Sequence, residues 1–394
     1  MKRISQSPTD PDFVQNPYPF YDRLRAMGPV VHWEEYDLPV SARANVVGAI
    51  LRDRRLGREV PAERAQPVPD HLRPFYAIED HSMLELEPPR HTRLRGLVLR
   101  AFTSRRIAAL APDIAALAEE LAAALPRDAP FDLIEHFAKP LPVRIIARLL
   151  GVPEDRADDL LAWSNAMVGI YQARRDRAME EAAASAAATF AEFIRSHAEN
   201  RRHSPADDLI THLLAAHDET GGLSTEELVA TCILLLNAGH EATVHTIGNG
   251  VKTLLETRTP AAALVPDRVE GTVEEILRFD PALHLFTRWV YEDVEIGGHA
   301  FRRGDRVGCL LAGANRDPGA WDDPGTFDPN RPARTSLTFG AGVHFCVGAP
   351  LARLELQVAL PILFRQLPGL RIAQAPRYAD LYHFHGLERL MLTA

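Results

Sequence analysis

The sequence predicts a mainly α-helical protein with a minor sheet component, and three observations lead there. Over residues 90–215 apolar side chains recur mostly at helical spacing, as Leu94, Leu97, Val98 and Ala101 do. Residues 229–238 are apolar on all sides, and Ser224 with Glu227 forms a capping-box pattern ahead of them, so a buried helix is expected over 224–257. At 1.5 Å per residue such a helix is roughly 50 Å long, enough to cross a whole domain. Strand and turn chemistry is concentrated in residues 288–310, where Val290, Val294 and Ile296 precede Gly297-Gly298, Phe301, Gly304 and Val307.

The other elements follow in order. Residues 1–16 are polar and interrupted by proline, and predict an extended arm. Residues 17–27 predict a short helix ended by Gly28-Pro29, and the short apolar runs of 30–50 suggest strands. Residues 59–90 carry Pro61, Pro67, Pro69, Pro74, Pro88 and Pro89 and cannot form one regular element. A long irregular segment inside a compact domain is often functional. Residues 107–125 and 141–150 continue the helical pattern, 174–200 form a charged, Ala-rich helix, and Gly221-Gly222 breaks the chain before the long buried helix. A helix after Asp267 holds Glu274 to Phe279; 321–338 reads as loop, 349–367 as helix and 371–394 as a final hairpin. No repeat or low-complexity linker divides the chain, so residues 1–394 are expected to form a single domain.

Composition excludes several function classes. A formal net charge of −9 and a pI near 6.0 argue against nucleic acid as the main partner, which needs a basic face. Cys232, Cys309 and Cys346 are odd in number and far apart, so a disulfide framework is not expected and a reducing compartment is. The opening MKRISQSPTDPDF lacks the apolar core of a signal peptide, and no apolar run of membrane-spanning length occurs. The expected location is cytoplasmic, with no membrane partner.

The strongest chemical signal is Phe339-Gly340-Ala341-Gly342-Val343-His344-Phe345-Cys346-Val347-Gly348. Glycines let backbone pass close to something flat, and N–H groups in such a loop can point at one sulfur. The helix that begins immediately afterwards places its positive end near the same atom, which favours a thiolate. This is what an iron–thiolate bond requires. A lone cysteine in a tight turn is usually only a buried thiol, but these neighbours are too specific for that. Zinc is disfavoured because no second cysteine or histidine pair sits at ligand spacing, and covalent c-type haem is excluded because there is no C-x-x-C-H.

The decapeptide resembles the haem-binding loop of the cytochromes P-450, the haem-thiolate monooxygenases, in their soluble bacterial form; all its signature positions match. Three further matches extend the resemblance over nearly the whole chain. Glu275-Ile276-Leu277-Arg278 matches the E-x-x-R of the family. Alone it reads as an i,i+3 surface ion pair worth a few tenths of a kcal/mol. The resemblance implies instead a buried pair joined by Arg331 of Phe327-Asp328-Pro329-Asn330-Arg331, holding the core behind the haem. His91 and Arg95 lie four apart, which alone reads as a solvated basic face. The resemblance implies that both, with Arg288 and His344, hold the haem propionates, whose burial without cations would cost several kcal/mol.

The third match is Ala238-Gly239-His240-Glu241-Ala242-Thr243 in the long helix, similar to the family's [AG]-G-x-[DE]-T-[TS] over the oxygen-binding face of the iron. Gly239 would leave room for dioxygen. Glu241 is either ion-paired structure or a proton carrier, and the resemblance favours the carrier. The sequence departs from the family at Ala242, where a threonine hydroxyl usually helps deliver protons. Thr243 acting through a bent helix, an ordered water, or a hydroxyl on the substrate could substitute; a fourth alternative is that hydrogen peroxide replaces dioxygen.

The resemblance therefore implies the triangular, mostly α P-450 prism, haem b held by Cys346 with Phe339 and Gly348 in its loop, and R–H + O₂ + 2e⁻ + 2H⁺ → R–OH + H₂O. Glu241 and Thr243 are the candidate proton carriers. Leu234, Ala238, Ala242, Leu283, Leu285, Phe286 and Phe384, with segments 70–85 and 163–172, are the candidate walls of a pocket for a small, largely hydrophobic substrate. Electrons are expected from a separate ferredoxin (or flavodoxin) with its NAD(P)H-dependent reductase, docking on arginines such as Arg100, Arg105, Arg106 and Arg353, and the chain is expected to act as a monomer. The rival functions are a peroxide-driven peroxygenase, motivated by Ala242, and a haem-binding sensor without catalysis.

Overall fold

The computed structural model describes residues 1–171, 175–218, 221–332, 334–382 and 384–394, with backbone only for 217 and 218. Gln172 at the end of the expected pocket segment, Arg174 at the expected start of the Ala-rich helix, Ala333 and His383 lie outside the described residues.

The helix Thr225–Glu256 is the central element, 32 residues and about 48 Å long. Its start is fixed as expected: the Glu227 N–H donates to Ser224 Oγ at 3.1 Å, and the Ser224 N–H donates to Glu227 Oε2 at 2.9 Å. Arg93 reaches the same carboxylate at 2.8 Å, tying this end to the helix Arg90–Ala101. Around the central helix pack Pro140–Leu150, Ala157–Val168, Arg177–His203, Val269–Phe279 and Ala349–Gln366. They share one large apolar core with it, to which Ile146, Phe190, Leu236, Ile247 and Leu356 contribute.

The sheet component is small. Six strands run in the order Arg3–Ile4, Val31–Trp33, Leu38–Ser41, Arg306–Leu310, Leu285–Val290, Leu56–Gly57. The N-terminal segment and the region expected to be strand thus meet in one sheet: Gly308 pairs with Val40 in parallel, and Cys309 with Phe286 antiparallel. The tail forms short antiparallel pairs, Arg371–Ile372 with Met391–Thr393 and Arg377–Tyr378 with Leu387–Arg389.

One expectation is corrected and one is refined. The N-terminal arm is not extended throughout: Pro11–Gln15 is helical, with the Phe13 N–H donating to Asp10 Oδ1 at 3.0 Å and the Phe13 ring buried against Phe20 and Trp33. The proline-rich 59–90 segment contains a helix, Arg73–Glu79, because Pro74 falls in the first turn, where a missing N–H costs nothing.

A buried polar network joins three distant pieces of chain. Asp280 accepts from the Tyr18 hydroxyl at 2.8 Å and from the Tyr378 hydroxyl; the Tyr21 hydroxyl lies 2.8 Å from His284 Nδ1; and Tyr378 stacks on His385 at 3.8 Å. Burial pushes the imidazoles of His284 and His385 down, His385 to about 4, so both are neutral at pH 7.

One buried acid stands alone. Glu355, on the helix Ala349–Gln366, is 1% exposed, its Oε2 has no partner, and burial pushes its carboxyl up to about 8. An acid raised in the folded state keeps its proton while the unfolded chain loses one, so stability falls as pH rises from the ordinary glutamate value of about 4.3 toward about 8. Glu355→Gln keeps the neutral shape and removes that loss. Thermal melts at pH 5 and pH 8 should show little gain at pH 5 and a gain of a few degrees at pH 8; an equal or larger gain at pH 5 would contradict the assignment.

Candidate active site

The Cys346 loop is shaped by its glycines. Gly340 and Gly342 adopt φ of 68° and 73°, and a Cβ on Gly342 would sit 2.3 Å from the carbonyl oxygen of Leu51, so no other residue fits there. The Cys346 N–H donates to the Phe339 carbonyl at 3.0 Å, closing the loop, and the helix Ala349–Gln366 begins three residues beyond the sulfur. Burial pushes the Cys346 thiol up, while the backbone N–H groups of Gly348 and Ala349 and the charges of Arg95 and Arg353 pull it down. Cys232 and Cys309 lack such donors: burial pushes both up to about 12 and leaves them inert thiols.

A second group of side chains collects cations. Arg95 donates to the Phe345 carbonyl at 2.6 Å. His91 is 2% exposed, its ring lies 4.4 Å from that of His344, and its Nδ1 has no partner; burial, then His344 and Arg95, push it to about 4. Arg288, 2% exposed, donates to the carbonyl of Thr287 at 2.8 Å and has no carboxylate within ion-pair distance among the described residues. The motifs did not reveal two nearby acids: Glu87, whose Oε1 meets His344 Nε2 at 2.8 Å, and Glu85, which pairs with Arg58. No sequence spacing marks Glu87, because its partner is 257 residues away.

This arrangement fits a haem. Arg95, Arg288 and His91, which are paired with no carboxylate among the described residues, suit two carboxylates, whereas His344 already faces Glu87. A thiol among backbone donors suits iron. Cys346, Arg95, Arg288, His91 and His344 are the residues that could hold the group.

The central helix supplies the opposite chemistry. In a helix otherwise mostly buried, Ala238 is exposed and Leu234, Asn237, Gly239, Glu241 and Ala242 are half-exposed. Leu234, Ala238 and Ala242 share one face at i, i+4, i+8. The helix is not broken here, and Thr243 is buried with its hydroxyl donating to the Gly239 carbonyl at 3.3 Å, on a different face from Ala242. Glu241 lies between two histidines, with His240 Nε2 at 3.4 Å from Oε2 and His245 Nε2 at 3.3 Å from Oε1. Burial opposes its charge, but the two neighbouring imidazoles, that of His245 within hydrogen-bond distance, outweigh it and hold the carboxyl well below the usual range. His245 was legible as the i+4 partner of Glu241 but was not singled out. A cavity of about 320 Å³ lined by His240, Glu241, His245 and Phe384 reaches Lys139 and the exposed Glu388. The tail presses close: a Cβ on Gly386 would lie 1.8 Å from His245 Nδ1.

The remaining candidates are scattered around these groups. Leu283 and Phe384 form an isolated antiparallel bridge, Phe286 lies near Gly340, and Leu285 packs against the cluster of Phe13, Phe20 and Trp33. Arg353 is paired with Glu274 at 2.5 Å and stacks over Phe339 at 4.6 Å. The E-x-x-R pair is buried, not on the surface. Arg278 is 1% exposed and Glu275 3%; the guanidinium grips both carboxylate oxygens at 2.7 Å, and Arg331 approaches at 3.3 Å. Arg278 also donates to the carbonyls of Asn315, Pro324 and Thr326.

Comparison with known proteins agrees with this geometry. The family model for cytochrome P450 matches residues 143–264 and 269–367. The chain is similar to the vitamin D(3) 25-hydroxylase of Pseudonocardia autotrophica, 40% identical over 97% of this chain and 94% of that one. It is similar to the polyketide biosynthesis cytochrome P450 PksS of Bacillus subtilis, 34% identical over 100% and 99%. Among solved structures, P450BioI in complex with a hexadec-9Z-enoic acid-ligated acyl carrier protein superimposes with a TM-score of 0.91 at 32% identity, covering 97% of this chain and 99% of that one. The mostly helical fold with its small sheet is the one these structures share. No described helix is long and apolar enough to cross a membrane. With the fold, the cysteine loop and relatives of full length in agreement, the chain belongs to the cytochrome P450 family of haem-thiolate oxidoreductases.

Proposed function

We propose that this chain is a reductase-dependent monooxygenase that holds haem b through Cys346 and hydroxylates a small, largely hydrophobic molecule. The observation that carries the proposal is the Cys346 sulfur, set among the N–H groups of Gly348 and Ala349 beside Arg95. When bound, a thiolate-ligated haem supplies the activation of dioxygen that side chains cannot perform.

The chain's own residues do the rest. Arg95 and Arg288, with His91 and His344, would hold the two carboxylates of the haem. Leu234, Ala238, Ala242, Leu283, Phe286 and Phe384 offer the substrate apolar walls; Leu285, packed on the N-terminal cluster, supports them from behind. Relatives named for vitamin D(3) and polyketide chemistry support a largely apolar substrate. Electrons come from a separate ferredoxin or flavodoxin with its reductase.

Proton delivery is assigned to Glu241. Its carboxylate is ionised at neutral pH and lies within reach of His240 Nε2 and His245 Nε2. A carboxylate held this low gives up a proton at once rather than storing it, so it stands as a relay between the two imidazoles on the cavity side and water or a substrate hydroxyl near Ala242. Thr243 has its hydroxyl engaged by Gly239 and acts as a positioning residue. Positioned proton donors contribute about 10²- to 10⁴-fold. Glu241→Gln should lower product formed per NAD(P)H sharply, Thr243→Ala less, and Ala242→Thr should improve it little. Poor wild-type coupling rescued by Ala242→Thr would contradict this route. Ala242 also motivates the second reading, a peroxygenase, which efficient turnover on hydrogen peroxide alone would favour.

A further inference from the structure

Asp280, His284 and His385 are brought together from the end of the helix Val269–Phe279, the strand approach that follows it, and the tail. All three are buried, and one ligand atom from each lies within 4.8 Å of the others. His385 Nε2 is 3.6 Å from Asp280 Oδ1, and the two imidazole rings are 4.4 Å apart. His284 is 0% exposed, yet its Nε2 has no hydrogen-bond partner. An orphaned nitrogen in a fully buried site is costly and leaves a lone pair or N–H open to an occupant.

We propose that these three side chains form a buried structural site for a divalent transition metal of the zinc class, separate from the Cys346 loop. Two imidazoles and one carboxylate are a donor set zinc accepts, leaving a fourth position for water. Tetrahedral zinc with bonds of about 2.0–2.2 Å holds its ligands a little over 3 Å apart, so small side-chain rotations close the cluster. Supporting groups are already in place. The Tyr21 hydroxyl sits 2.8 Å from His284 Nδ1, leaving Nε2 as the free ligand atom, and Tyr18 and Tyr378 hydrogen-bond the Asp280 carboxylate. The nearby cations stand behind these rings: Arg316 lies 3.4 Å over Tyr18, and Lys252 lies 5.4 Å over Tyr378.

The position gives the metal a consequence for the pocket. Leu283 and Phe384 are the chain neighbours of His284 and His385, and they bridge each other across the two segments. In extended chain successive side chains point to opposite faces, so a metal on the histidines clamps the backbone that presents Leu283 and Phe384.

The test uses the haem-loaded protein. After incubation with zinc and desalting, bound zinc is counted per chain and its surroundings are read by X-ray absorption at the zinc edge, with melting temperature measured alongside. The expected result is one zinc per chain, a shell of nitrogen and oxygen at about 2.0–2.1 Å without sulfur, and a raised melting temperature. His284→Gln and His385→Gln, each checked for retained haem, should lose the zinc and the temperature rise. Failure of the wild-type chain to retain zinc overturns the proposal whether or not the variants fold. A sulfur-containing shell, or zinc retained equally in either variant, overturns it as well.

Discussion

Replacing Cys346 with alanine is expected to abolish the red-shifted thiolate band of the ferrous–CO complex and to reduce oxygenation to background. No other sulfur is placed to substitute. Cys232 and Cys309 are fully buried, and burial pushes their thiols up to about 12. Cys232→Ala and Cys309→Ala therefore serve as controls that should keep the band. The loop itself should survive in Cys346→Ala, because its shape rests on Gly340, Gly342 and the bond from the residue 346 N–H to the Phe339 carbonyl. Cys346→Ala should accordingly remain folded and still take up some haem, held by its propionate contacts. A thiolate band persisting in Cys346→Ala would show that the iron ligand lies elsewhere.

The second large effect concerns stability. Glu275 and Arg278 form a buried, two-pronged ion pair whose guanidinium also satisfies three backbone carbonyls. Removing Glu275 leaves Arg278 with no counter-charge, and removing Arg278 leaves Glu275 only Arg331 at 3.3 Å, a cost of about 3–5 kcal/mol that is comparable to the whole stability of many domains. Glu275→Ala and Arg278→Ala should yield little soluble, haem-replete protein. Arg278→Lys should be nearly as damaging, because a point-charge ammonium cannot reproduce the planar fork. Purified variants with wild-type haem content and melting temperature would show that the pair carries little.

What the chain disclosed in advance was local. The central helix could be bounded from Ser224, Glu227 and the apolar run behind them, because a capping box and all-round hydrophobicity are short-range signals; its observed span, Thr225–Glu256, lies just inside 224–257. The Cys346 loop was legible for the same reason: its glycines, cysteine and helix start are contiguous. The helix at Pro11–Gln15 was not legible, since five residues cannot hold a helix alone and Phe13 does so only by burial against Phe20 and Trp33. The burial of Glu275 and Arg278 could not be told from their spacing, which suits a surface pair equally well. The contacts of Glu87 with His344, of Leu283 with Phe384, and of His385 with Asp280 and His284 join residues about one hundred or more positions apart, where no local pattern reports on proximity. Thr243 shows a subtler limit: its place in the motif was plain, but the direction of its hydroxyl depended on the helix staying unbroken past Gly239.

The central proposal is oxygenation driven by external electrons at a haem held by Cys346. Its most direct test begins with the compound, from a panel of steroids, macrolides and fatty acyl derivatives, that most changes the iron spin state. That compound is incubated with the protein, a ferredoxin, its reductase, NAD(P)H and isotopically labelled dioxygen, and the product is read by mass spectrometry. The account predicts a product carrying one labelled oxygen atom, in an amount that tracks the NAD(P)H consumed. A product without the label, or one formed faster from hydrogen peroxide alone than from dioxygen with the electron donors, would contradict it.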